Sequence, residues 1–350
     1  MKEREGGALA VVQPRFAAHR RRRRGRPYAA IDLGTNNCRL LVAAPERDGF
    51  RVIDAFSRIV RLGEGLRASG RLSDAAMDRT IAALRICADK IRRNRSRQVR
   101  AIATEACRRA GNGQAFLDRV AVETGLGFEV ISPQEEAALA RDGCLSLAEP
   151  GKSRMLVFDI GGGSTEISWV AVDGGGCQPL GWTSLPLGVV TLSEDHGGNV
   201  VARPEFERMI ALVAERLAQF EAAHGIGAAI ARGEVQVVGT SGTVTTLAGL
   251  HLGLPAYDRR RVDGTQLDYQ ATERVCERLL ALDARGRAAL PCVGPERADL
   301  VLAGCAILLA IQRQWPAGRL HVADRGLREG MLLRMIAADR GPRSGHTPPS

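Results

Sequence analysis

The sequence predicts an α/β protein built as two domains with a cleft between them. Three observations point there: a strand-turn-strand unit occurs twice, the apolar residues are aliphatic rather than aromatic, and the chain is long. At 350 residues it exceeds what one compact core usually supports. Hydrophobic residues make up 45% and aromatic residues only 4%, so the interior has to be built from Ala, Val, Leu and Ile, as in α/β proteins with buried sheets.

Along the chain, residues 1–27 read as a basic, disordered arm, because Arg, Gly and Pro dominate and no periodicity appears. Tyr28 then begins a short apolar strand, followed by the polar turn Asp32-Leu-Gly-Thr-Asn-Asn37 and a second apolar strand through Leu40, Leu41 and Val42. A helix pattern runs from Ser73 to Arg93, and an apolar strand from Val99 to Ala103. Ser132-Pro133 opens another helical segment reaching about Ala148, and Pro150-Gly151 is the candidate hinge. This divides the chain into domains at 28–149 and 150–340.

The second half repeats the plan of the first. Met155 leads through an apolar strand into Asp159-Ile-Gly-Gly-Gly-Ser-Thr165 and a second strand from Ile167 to Val172, and a helix pattern spans Pro204 to His224. Val235 to Val238 reads as a strand feeding Gly239-Thr-Ser-Gly-Thr243 and an apolar helix. Two more apolar helix patterns follow, Arg297 to Gln312 and Gly326 to Ala337, the latter interrupted by Gly330; one of them is expected to return to the first domain. Residues 341–350 resemble the arm and read as a disordered tail.

Charge and cysteine usage narrow the function classes. The formal charge of +10 favours an anionic partner, whether nucleic acid, an acidic membrane surface or a phosphate-rich substrate. Eight scattered cysteines, with no C-x-x-C and no H-E-x-x-H, suggest neither zinc nor a disulfide framework and fit a reducing cytoplasm. The apolar run Ala8 to Val12 is too short for a signal-peptide core. Later apolar stretches are broken by Asp32, Arg39, Asp159 or Glu166, so none offers the roughly 18 uncharged residues of a membrane span. A soluble protein is expected. Gly151-Lys152-Ser153 is not the end of a Walker loop, because Ser146 stands where glycine is needed.

The chemistry concentrates in three glycine-rich turns. Gly34, Thr35 and Asn36 form the first, Gly161, Gly162, Gly163, Ser164 and Thr165 the second, and Gly239, Thr240, Ser241, Gly242 and Thr243 the third. Such turns expose backbone N–H groups to an anion, and the third adds a helix N-terminus. An ordinary hairpin explains any one of them alone, whereas two facing each other across a hinge suit a chain of phosphates. Asp159 and Glu166 bracket the second turn, and carboxylates beside a phosphate site suit Mg2+. Glu135 and Glu136 follow a helix start, where capping alone accounts for acids; the sharper reading makes a carboxylate there a base for water. Arg108 follows an apolar strand, near the rim where ligands collect in α/β domains.

Taken in order, Ala30-Ile-Asp-Leu-Gly-Thr-Asn36, Thr104-Glu-Ala-Cys-Arg108, Glu135-Glu-Ala137, Phe158-Asp-Ile-Gly-Gly-Gly-Ser-Thr-Glu166 and Gly239-Thr-Ser-Gly-Thr243 resemble the exopolyphosphatase/guanosine pentaphosphatase family. The resemblance implies two ribonuclease-H-like domains of the actin-like ATPase superfamily with the active site in the cleft. It implies Glu136 as base, Asp32, Asp159 and Glu166 serving Mg2+ or another divalent cation such as Mn2+, and Arg108 with the three turns holding phosphate. A cytoplasmic homodimer is implied, acting on inorganic polyphosphate or on guanosine pentaphosphate (pppGpp); the arginine excess favours the longer polyanion. An actin-like ATP-dependent kinase is the rival enzyme class, and nucleic-acid binding leaves five motifs unexplained. Many relatives have Ser where Asn37 stands, and longer members carry an extra C-terminal helical domain that 350 residues do not accommodate.

Overall fold

The computed structural model describes residues 26–47, 49–173 and 176–340. The tail 341–350 and all but the last two residues of the arm lie outside them. The first hairpin forms as its sequence suggests. Strand β1 (Tyr28–Leu33) pairs antiparallel with β2 (Asn37–Glu46), which places Asp32 opposite Arg39. β3 (Gly49–Ile59) completes a meander, and β1 also pairs in parallel with β4 (Gln98–Ala103), which carries the short β5 (Glu129–Val130). The sheet order is β3-β2-β1-β4-β5.

A second sheet repeats this plan. β6 (Arg154–Ile160), β7 (Thr165–Asp173) and β8 (Gly176–Leu185) form the meander, and β6 runs parallel to β9 (Val235–Thr240), which in turn pairs in parallel with β11 (Arg319–Ala323). β10 (Gln266–Asp268) closes the edge, giving β10-β11-β9-β6-β7-β8. The third strand of each meander was not legible in the sequence. β3 is largely exposed and carries Arg51, Asp54, Ser57 and Arg58, so it lacks the apolar alternation that marks a half-buried strand. β8 contains Pro179, tolerated because the strand lies at a sheet edge.

Helices cover both sheets. α1 (Asp74–Arg93) starts where Ser73 Oγ accepts the Ala76 N–H at 3.3 Å, and Met77, Ile81, Leu84, Cys87 and Ile91 bury one face against the first sheet. α2 (Pro133–Cys144) is capped by Ser132 and ends in a 3-10 turn, Leu145–Leu147. α3 (Val189–Asp195), α4 (Arg203–His224), α5 (Ser241–His251) and α6 (Val301–Gln314) surround the second sheet. α6 starts later than its apolar pattern suggested. Residues 297–300 are turns, because the Ala298 carbonyl accepts from the Arg287 guanidinium at 3.1 Å and the Asp299 carbonyl from Ser193 Oγ at 2.7 Å, contacts that an apolar pattern does not encode.

The last helix, α7 (Leu327–Arg340), returns to the first sheet. Leu327, Met331, Leu332, Met335 and Ile336 share a core with Tyr28, Ala30, Leu41, Ile102, Leu139 and Ala140. α2 and α7 meet backbone to backbone. A Cβ on Gly330 would lie 2.1 Å from the Leu139 carbonyl oxygen, and one on Gly143 2.1 Å from that of Gly326. The glycine that interrupts the helix pattern is therefore a packing requirement. Gly330→Ala is expected to cost about 2 kcal/mol through overpacking, seen as a melting temperature several degrees lower. Gly127→Ala, at a site with nothing within 4 Å, serves as the near-neutral control, and equal melting of the two variants would contradict the seam.

Candidate active site

Each of the two hairpin turns is tied down from behind. In the first, Gly34 N donates to Asn37 O at 2.9 Å, while the carbonyls of Thr35 and Asn36 accept from Gly63 N (2.9 Å), Val60 N (2.9 Å) and Arg61 N (3.1 Å). In the second, Gly161 N donates to Ser164 O at 2.9 Å, and the carbonyls of Gly161 and Gly162 accept from Val189 N (3.0 Å) and Val190 N (2.8 Å) at the start of α3. With their carbonyls engaged, the amides of Thr35, Asn36, Gly162 and Gly163 donate to no backbone group among the described residues, which leaves them for a ligand.

The two turns touch. A Cβ on Gly162 would sit 3.0 Å from Thr35 Cβ and 3.1 Å from Asn36 N; one on Gly163 would sit 2.7 Å from Thr35 Oγ1 and 2.8 Å from Glu105 Cγ. The third turn joins them from β9. Ser241, with φ 81 and thus in the left-handed region unusual for a non-glycine residue, begins α5 beside them.

Four carboxylates gather beneath these turns. Asp159 and Glu166 are cross-strand partners on β6 and β7, and like charges so placed repel. Glu166 accepts from Ser184 Oγ at 2.8 Å. Glu136 lies in the first turn of α2, buried, with Arg108 donating to its Oε2 at 3.3 and 3.4 Å. Its neighbour Glu135 turns outward to Arg100. Burial pushes Glu136 well above the usual carboxylate range; the charge of Glu166 adds to this, and Arg108 offsets part of it. Burial likewise raises Asp32, takes Asp159 up to about 6 and takes Glu166 up to about 7.

Asp32, Glu136 and Asp159 line one pocket together with Gly34, Thr35, Asn36, Gly161, Gly162, Gly163, Ser164 and Ser241. A neighbouring cavity adds Gly242, Thr243 and Arg297, and a larger one of about 950 Å3 is lined by Arg39, Arg297, Arg328, Phe56 and Tyr257. Some residues singled out from sequence stand behind these walls. Arg108 is occupied by Glu105 (2.6 Å), Glu136 and the Ile131 carbonyl (2.7 Å). Thr165 Oγ1 donates to Leu187 O at 2.7 Å, Thr240 Oγ1 to Arg325 O at 2.7 Å, and Gly239 makes room for the Phe158 ring, which a Cβ would meet at 2.5 Å. Sequence reading missed Arg39, Arg297 and Arg328. Only Arg39 had a signal, as a charge set within the apolar run of β2.

Among the described residues no group of three or more His, Cys, Asp or Glu side chains is close enough to hold a metal alone. The donor set nonetheless fits Mg2+, which is usually held by one or two carboxylates together with substrate phosphates and water. Asp32 and Asp159 open on the same cavity, and the Oδ1 atoms of Asn36 and Asn37 are buried acceptors with no partner among the described residues.

A model of the Ppx/GppA phosphatase family matches residues 41–338. The chain belongs to the Ppx/GppA phosphatase family. It is 32% identical to Exopolyphosphatase 2 of Mycobacterium tuberculosis over 322 residues, covering 88% of this chain and 98% of that protein. The crystal structure of the Aquifex aeolicus Ppx/GppA family member superposes with a TM-score of 0.74 at 30% identity, over 90% of this chain and 99% of that one. An exopolyphosphatase from Cytophaga hutchinsonii gives 0.79 at 25% identity, over 89% and 97%. Ppx/GppA membership accounts for the two-domain actin-like fold and makes the chain a phosphoanhydride hydrolase, so the kinase alternative falls away.

The carboxylate cluster gives a pH signature. Asp159 holds its proton to about pH 6 in the fold and to about pH 4 unfolded, so between these values the native state binds the extra proton and stability falls as pH rises. At pH 8 the ionised group destabilises by roughly 3 kcal/mol. In chelator, Asp159→Asn is expected to melt several degrees above wild type at pH 8, with the difference shrinking towards pH 4. A variant that melts lower at pH 8 would contradict the burial penalty on its charge.

Proposed function

We propose that the protein is an exopolyphosphatase, hydrolysing the terminal phosphoanhydride of inorganic polyphosphate with release of orthophosphate. The observation that carries this reading is that Glu136, buried and held by Arg108, opens into the same cavity as turns from both lobes. Names given to the relatives agree.

In this mechanism the terminal phosphoryl group lies between the turns at Gly34–Asn36 and Gly161–Ser164, whose amides take its equatorial oxygens. Glu136 accepts a proton from water as the water oxygen bonds to phosphorus. The bond from phosphorus to the bridging oxygen breaks, and the shortened chain leaves as an anion. Its raised affinity for protons makes Glu136 a stronger base than an exposed carboxylate, and Arg108 fixes its orientation. Asp32 and Asp159 are the residues to hold a divalent cation, Mg2+ or Mn2+, with Glu166 behind them; when bound it supplies charge neutralisation on the phosphate oxygens. Phosphoryl transfer asks chiefly for positioning and charge stabilisation, and both walls supply these.

A second reading, guanosine pentaphosphate as substrate, is favoured by one feature: Phe56 and Tyr257 line the largest of the adjoining cavities beside Arg39 and Arg297, where a base has an aromatic face to stack on. No helix of the described residues is long and apolar enough to cross a membrane, and all eight cysteines are unpaired, which supports placing the enzyme in the reducing cytoplasm.

Glu136→Gln is expected to lower kcat about 10²- to 10⁴-fold while polyphosphate still binds; unchanged turnover would remove Glu136 from the mechanism. Phosphate release measured side by side on long-chain polyphosphate and on guanosine pentaphosphate decides between the substrates, faster release from polyphosphate being expected. Chelating divalent cations should abolish release, with recovery on adding Mg2+ or Mn2+.

A further inference from the structure

The segment after β3 does more than complete a sheet. Its backbone moulds the first glycine turn, through the bonds from Val60, Arg61 and Gly63 to Asn36 and Thr35. Within it Arg61 has φ 48, a left-handed conformation that an L-residue seldom adopts. Such strain persists only where the surroundings enforce it. Here it accompanies a side chain that crosses the cleft: the guanidinium meets both carboxylate oxygens of Asp299, at 2.8 and 2.9 Å, and donates to the Glu296 carbonyl at 3.1 Å.

Asp299 lies on the other lobe, two residues after Arg297, which lines the cavity beside Asn36, Asn37, Gly162 and Ser241. The segment carrying both is held from behind. Buried Arg287 takes the Ala298 carbonyl, and Ser193, on the helix that braces the second glycine turn, takes that of Asp299. Farther out the same seam continues with Glu194 accepting from Gly65 N at 2.9 Å and with the ion pair of Arg67 and Asp195. Neither Arg61 nor Asp299 lines the cavities that hold the turns.

We infer that the bidentate pair of Arg61 and Asp299 is a strut across the cleft, which sets the distance between the first phosphate turn and Arg297. Both are positioning residues, and the inference rests on the phosphate-binding reading above. With the strut in place the free enzyme already holds donors from both lobes at the spacing a phosphate chain needs. Without it, substrate has to draw the lobes together, so binding weakens while the bonds made at the reacting phosphorus stay the same.

The test uses the full chain with Arg61→Lys, Arg61→Ala, Asp299→Asn, the double variant Arg61→Ala/Asp299→Asn and the charge swap Arg61→Asp/Asp299→Arg. Arg61→Ala and Asp299→Asn are expected to raise KM for polyphosphate about five- to tenfold with kcat within about threefold of wild type. The double variant should be no worse than either single change. Arg61→Lys and the swap should recover much of the lost KM. Additive losses, or a fall in kcat at unchanged KM, would overturn the strut. Calorimetric affinity for tripolyphosphate in a Glu136→Gln background provides the second readout, expected to fall by the same factor in the strut variants. Wild-type protein that releases no phosphate from polyphosphate would sink the substrate reading alone; strut variants that bind tripolyphosphate as tightly as the Glu136→Gln parent would sink the strut alone.

Discussion

Two peptide turns from different lobes lie in contact, and the remainder of the molecule serves that contact. Gly162 and Gly163 leave no room for a side chain against Thr35, Asn36 and Glu105, and Gly188 presses on Gly162 from behind, where a Cβ would come within 2.4 Å of the Gly162 carbonyl. Anything larger than hydrogen at these positions separates the lobes. In the proposed mechanism, amides from both lobes reach one phosphoryl group only because the turns are bare. The duplicated sheets bring this about. In each, the turn joins the first two strands of a meander, and the strand running parallel beside the first strand leads into a further helix that borders the cleft.

The same closeness has an electrostatic consequence. Asp32, Glu136, Asp159 and Glu166 share a poorly hydrated space, and each resists ionisation mainly because burial removes water from its charged form. Arg108 is bonded to Glu136, while Arg39 opposes the charge on Asp32 and Asp159. Outward from this acidic floor the walls turn basic, with Arg39, Arg297 and Arg328. On the function proposed above, an acidic floor beneath a basic rim suits a polyanion carrying divalent counterions, and it leaves the empty site less stable than an apolar one would be. The seam of α2 and α7 keeps the floor in register, since Glu136 sits on α2 and α2 is locked to α7 through Gly143 and Gly330.

Much of this was visible without coordinates, and the reason is local. Tight turns select glycine and small hydroxyl residues, so the two hairpins and the turn at Gly239–Thr243 appear as strings in the sequence, and the apolar runs beside them mark β1, β2, β6 and β7. Ser73 and Ser132 announce α1 and α2 by capping chemistry. β3 and β8 escaped because edge strands meet solvent and need no alternation. The delayed start of α6 escaped because the contacts that hold its preceding turns, from Arg287 and from the distant Ser193, leave no periodic signal.

The sequence alone determined the class of fold, its duplication, the three glycine-rich turns and the carboxylates that border them, because these follow from backbone geometry and short-range periodicity. Tertiary structure decided which acid faces the cavity: Glu136 is turned inward on α2, while Glu135 is drawn out by Arg100. It also decided that Arg108 grips Glu136, that Arg39 and Arg297 join one wall, and that Arg61 reaches Asp299 across the cleft. The Arg61–Asp299 pair alone joins residues 238 positions apart in the chain, and no local rule of spacing carries information over such distances.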